Sequence, residues 1–268
     1  MYAGRKPWHA APEVKYMSRY QSTRIPKTER ITKLVEHLYA KMPEIESARA
    51  TLLTESYRQT ENEPVILRRA MAFAHILKAI PIIIREGELI VGSSTIAPRG
   101  CQTFPEFSYE WMEAEFDTVA TREADPFYIS DQTKKELKEA NRYWKGKTTS
   151  ELATAYMAPE ALKAMEHNMF TPGNYFYNGV GHVTVQFEKV LAIGYEGIMK
   201  EAAKELAGCK VGDADYATKS RFLQAVLISC QAVIDYAKRY AALAKKEAEA
   251  CKDPVRRPEL SQIAENCE

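Results

Sequence analysis

Read along its length, the chain repeats apolar residues at steps of three and four far more often than at steps of two. Ile31, Leu34, Val35, Leu38 and Met42 form one such stripe from Thr28 onward, the signature of a helix with a single apolar face. After Pro43 a second, shorter helix is expected through Ile45, Ala48, Leu52 and Thr54. A third begins at Pro64, where a first turn tolerates proline, and carries Ile66, Ala70, Phe73 and Leu77 on one side until Pro81. Helical patterning returns over 106–119, over 130–144 with Ser130 as an N-cap, over 148–157, and from Pro159 to about His167. Two long helices are predicted at about 186–207 and 214–250, the second with Phe222, Val226, Cys230, Val233 and Ala237 aligned. A last amphipathic helix, 258–267, puts Leu260, Ile263, Ala264 and Cys267 on one side. The pattern predicts a mainly α protein, about half to two-thirds helix, against a usual share of about one-third.

Two stretches depart from this. Ile82-Ile83-Ile84 and Glu88-Leu89-Ile90-Val91-Gly92 are short and rich in β-branched residues, so one β segment near 82–92 is expected. Residues 170–182 break every period, with three glycines, a proline and three adjacent aromatics. Residues 1–25 are polar and irregular and read as an arm that needs a partner surface.

Composition adds exclusions. Lys plus Arg (37) balances Asp plus Glu (36), and a net charge of +1 gives no drive toward nucleic acid or an anionic membrane. No run approaches the ~18 apolar residues of a spanning helix, and the first residues lack the apolar core of a secretory signal. The expectation is a cytoplasmic protein. Five cysteines stand far apart without a CxxC pair, which predicts reduced thiols instead of a disulfide framework. The five histidines lack zinc-site spacing, so no metal site is expected.

The candidate chemistry lies at the end of the aperiodic loop. Gly179 and Gly181 free the backbone for close approach, and His182 follows them. Its imidazole either enters a cavity as donor, acceptor or proton carrier, or caps the next helix, with Thr184 as a rival cap. Other fragments point nowhere. Gly92-Ser93-Ser94-Thr95 lacks the Gly-Lys-Ser/Thr of a phosphate loop, and Gly179-Val180-Gly181 lacks the third glycine of a dinucleotide fingerprint.

Several segments carry a resemblance. Glu46-Ser47-Ala48-Arg49-Ala50, Leu53-Thr54-Glu55-Ser56, Leu67-Arg68-Arg69-Ala70, Gly87 to Gly92, and Asp125-Pro126-Phe127-Tyr128-Ile129-Ser130 resemble the opening region of the glycyl radical enzymes, the pyruvate formate-lyase-like superfamily. Tyr143 to Leu152 and Gly173 to His182 are most similar to the cobalamin-independent glycerol and 1,2-propanediol dehydratases. The resemblance runs from about residue 25 to the C-terminus. It implies that residues 26–268 form the N-terminal helical part of a pyruvate formate-lyase-like α/β barrel.

The same resemblance implies that His182 hydrogen-bonds a substrate hydroxyl and that Asn174 lines the same pocket. In related choline lyases these places are held by aspartate and tyrosine. Aspartate suits a cation, whereas a neutral polyol needs hydrogen bonds without a full charge. The implied reaction eliminates water from glycerol or 1,2-propanediol to give an aldehyde. It uses a glycyl radical installed by an activating enzyme with an iron–sulfur cluster and S-adenosylmethionine, and no directly bound cofactor. The implied partners are a small polyol, the activating enzyme, a C-terminal polypeptide and a second copy in a homodimer. The family's Gly-Cys-Val-Glu and Arg-Val-Ala-Gly-Tyr loops do not occur in the chain. The expectation is therefore a truncated piece or split subunit unable to run the radical relay alone. Formate acetyltransferase-like, choline lyase-like, hydroxyproline dehydratase-like and purely interacting roles are the alternatives.

Overall fold

The computed structural model describes residues 28–178 and 181–268, and the arm expected over 1–25 lies outside the described residues. The described chain runs α1 (Glu29–Tyr39), β1 (Glu44–Glu46), α2 (Ala48–Gln59), α3 (Val65–Ala79), β2 (Gly100–Gln102), α4 (Glu110–Glu115) and α5 (Asp131–Trp144). It continues with α6 (Thr149–Ala155), α7 (Pro159–Glu166), α8 (Asn174–Asn178), α9 (Phe187–Gly208), α10 (Tyr216–Ala250) and α11 (Arg256–Cys267). The mainly α expectation holds.

Local chemistry sets several helix starts. Ser130 Oγ accepts the Thr133 N–H at 3.0 Å, the cap expected from sequence. Thr148 Oγ1 accepts the Glu151 N–H at 3.0 Å while Glu151 Oε2 accepts the Thr148 N–H at 3.1 Å, a reciprocal capping box. Thr28 caps α1 through the Ile31 N–H at 3.3 Å. The helix expected over 106–119 is shorter, because it stops after Glu115 and continues as a 3-10 turn at Val119–Thr121.

Packing centres on α10, a rod of about 52 Å at 1.5 Å per residue, which α3, α9 and α11 pack against. Alanines 225, 232, 241, 244 and 248 are buried on it and let neighbouring backbones approach. Tyr240, Ala244, Leu260, Ile263 and Ala264 join Ile84 in one cluster. Arg239 donates to the Leu77 and Ile80 carbonyls at 2.5 and 2.7 Å, satisfying the C-terminal end of α3. A second cluster collects Ile45, Ala50, Met112, Phe116, Val119, Ile129 and Leu137. Burial of Leu137 alone stabilises by about 1.5–3 kcal/mol.

The β segment expected near 82–92 is not a strand. The sheet instead pairs β1 with β2 in parallel, Ile45 opposite Cys101. Ile84 meets helices, not a strand edge: it is buried in the α10–α11 cluster, with Ile82 and Val91 against it. Side chains replace the ladder. Arg85 Nη2 donates to the Thr95 and Ile96 carbonyls at 2.8 and 3.1 Å, Arg256 Nη1 to the Glu88 carbonyl at 2.7 Å, and Arg30 Nη1 to the Gly87 carbonyl at 2.9 Å. Extended residues with β propensity thus serve as packing against helices, which propensity alone does not distinguish.

Within α9, Gly194 adopts φ 62 and ψ 179, so the helix is broken there and changes direction. That conformation is open essentially to glycine alone.

Candidate functional site

The aperiodic loop contains more structure than its pattern suggests. Gly173 accepts the Phe176 N–H at 3.0 Å and a short helix, α8, follows, packed against α6. Gly179 and Val180 lie outside the described residues. Beyond them the chain runs from Gly181 to α9 through two tight turns, closed by the Val183 N–H to the Gly181 carbonyl at 3.0 Å and the Phe187 N–H to the Val185 carbonyl at 2.9 Å, and α9 follows Gln186 without a side-chain cap. Neither His182 nor Thr184 caps that helix.

His182 is exposed at the centre of the first of these turns. Its Nε2 lies 3.0 Å from the Tyr175 hydroxyl, and the two rings meet edge to face with centroids 5.5 Å apart. Asn174 opens α8, but its side chain lies outside the described residues, so its place relative to His182 is not given. Apolar side chains surround the stretch in the open: Val183 is 85% exposed and Leu191 86%. A concavity of about 380 Å³ lies elsewhere, lined by Ile45, Cys101, Phe104, Trp111, Met112 and Phe127. Burial pushes the Cys101 thiol pKa up there, which disfavours the nucleophilic thiolate. All five cysteines are free thiols.

Among the described residues no group of three or more His, Cys, Asp or Glu is placed to hold a metal, and no helix is long and apolar enough to cross a membrane. The residue the sequence reading passed over is Tyr175. Its signal is the aromatic run before two glycines, but its contact with His182 is visible only in space.

Comparison with known proteins identifies the family of the chain. Residues 23–268 match the family described as Pyruvate formate lyase-like. A structure from work on 1,2-propanediol dehydration in Roseburia inulinivorans is 67% identical, with a TM-score of 0.87, covering 92% of this chain and 30% of that one. The glycerol-bound form of the B12-independent glycerol dehydratase from Clostridium butyricum is 50% identical, with a TM-score of 0.85, covering 90% of this chain and 31% of that one. The (2S)-3-sulfopropanediol dehydratase of Klebsiella oxytoca is 32% identical over 244 residues, 89% of this chain and 30% of that protein. The chain thus spans about 30% of the length of these relatives.

Proposed function

The chain belongs to the pyruvate formate lyase-like family, and from that premise we propose that it is the N-terminal portion of a glycyl radical dehydratase acting on a small vicinal diol. The observation that carries this reading is the 67% identity, over 92% of the chain, to the protein of 1,2-propanediol dehydration. The 50% identity to a glycerol-bound dehydratase keeps glycerol as the second substrate. The products are propionaldehyde and 3-hydroxypropionaldehyde.

In this reading the chain contributes recognition. His182 hydrogen-bonds a substrate hydroxyl, and Asn174 lines the same pocket. An imidazole exposed in this chain supports a pocket completed by further polypeptide. The glycyl radical, installed by an activating enzyme that uses S-adenosylmethionine, supplies hydrogen abstraction from outside these 268 residues. The active unit in this reading is a cytoplasmic homodimer.

The test is aldehyde formation by the complete, anaerobically activated enzyme containing this chain. His182→Ala is expected to lower turnover of 1,2-propanediol roughly ten-fold or more, as expected for loss of a positioning or acid–base group. Kinetics unchanged in that variant would remove His182 from the site. Activity confined to hydroxyproline or a sulfonated diol would overturn the substrate assignment.

A further inference from the structure

We infer that Tyr175 is a positioning residue for His182 that fixes which ring nitrogen carries the proton, a step that rests on the diol-binding reading above. The neutral imidazole has one donor and one acceptor nitrogen, and the bond made by one decides the role of the other. Here Nε2 lies 3.0 Å from the Tyr175 hydroxyl. A phenol O–H is a good donor, while the lone pair of an imidazole nitrogen accepts more readily than the ring-conjugated phenol oxygen. Tyr175 therefore donates, Nε2 accepts, and the single imidazole proton sits on Nδ1.

The two residues are held differently, and that sets the direction of control. Tyr175 is fixed on α8, whose first turn is closed by the Phe176 N–H to the Gly173 carbonyl and which packs on α6. His182 sits at the centre of a tight turn closed by the Val183 N–H to the Gly181 carbonyl at 3.0 Å, next to a glycine where an added Cβ would meet nothing within 4 Å. No comparable contact of the imidazole within the described residues replaces the phenol. The helix-borne hydroxyl, with the edge-to-face ring contact, orients the loop-borne ring and turns Nδ1–H outward as a donor. A donor at that position selects the oxygen lone pair of a substrate hydroxyl instead of its proton.

The experiment has two arms. In the 268-residue chain labelled with nitrogen-15 histidine, the His182 signals are expected to report the Nδ1–H tautomer. Tyr175→Phe is expected to shift the population toward Nε2–H, and identical spectra in the two proteins would overturn the proposal. In the complete activated enzyme, Tyr175→Phe is expected to lower kcat/KM for 1,2-propanediol about three- to ten-fold, the scale of one hydrogen bond. The double variant Tyr175→Phe/His182→Ala is expected to be no worse than His182→Ala alone, since a residue acting through another adds nothing once that one is gone. Additive losses would show that Tyr175 acts independently and sink the inference. If His182→Ala leaves turnover intact, the diol-binding reading fails instead, and the tautomer arm still decides whether the pair exists.

Discussion

Residues 44–148 and residues 149–201 both form helices from clear local signals, yet they treat their apolar side chains in opposite ways. The first stretch buries Ile45, Leu53, Phe116, Leu137 and Trp144, among others, in shared clusters. From Thr149 to Glu201 no described residue is buried, although α6 carries a full capping box and α7 starts with proline at its first turn. Leu152, Tyr156, Met169, Phe187 and Leu191 stand in the open instead. Capping and propensity therefore specify where a helix forms, while burial depends on what is there to meet it. Exposed apolar side chains in such number over one stretch suit contact with another surface.

The contrast can be tested by substitution. Trp144 is 3% exposed, donates through Nε1–H to Thr54 Oγ1 at 2.8 Å, and packs against Tyr57 and Tyr143. Trp144→Ala is expected to destabilise the chain by about 3–5 kcal/mol through cavity formation and loss of the hydrogen bond that Thr54 Oγ1 accepts, read as a lowered urea midpoint. A midpoint that stays put would mean the first stretch is no better packed than the second.

A smaller effect, confined to acid, is expected where α1 meets α11. The Arg30 guanidinium, hydrogen-bonded to Glu259, holds that carboxyl below the usual carboxylate range against the upward pull of burial, and Arg256 assists. A pKa depressed by folding stabilises above the unfolded value of about 4.3 and ceases to do so as pH falls through the folded value. Glu259→Gln should therefore flatten the decline of thermal midpoint between about pH 6 and pH 3. An unaltered acid limb would exclude the pair as its cause.

The smallest change is expected at Leu191. Leu191→Ala should move the urea midpoint by no more than about 0.5 kcal/mol equivalent, because the side chain is 86% exposed. A loss on the scale of Trp144→Ala would mean that the second stretch is packed after all.

How much of this was readable in advance follows the same division. Ser130 and the α10 stripe were visible because both are local: a cap needs one hydroxyl, and a stripe only its own period. The strand assignment at 82–92 fails because Ile82, Ile84 and Val91 pack on the α10–α11 cluster instead of a strand partner, while the three-residue strands β1 and β2 are too short to show an alternating pattern. The break at Gly194 was hidden inside an otherwise periodic helix. At the candidate site, glycines point to His182, but Tyr175 is found only in space, since a contact between positions 175 and 182 follows no sequence period.

Gly194 carries one more consequence. An added Cβ there would meet nothing within 4 Å, whereas at Gly100 it would come within 2.4 Å of Thr95 Cβ. In a saturation library both positions should return glycine, for unrelated reasons. Shrinking Thr95 to glycine would relax the demand at 100, but no second-site change in a neighbouring side chain would relax it at 194, where the torsion angles themselves do the rejecting.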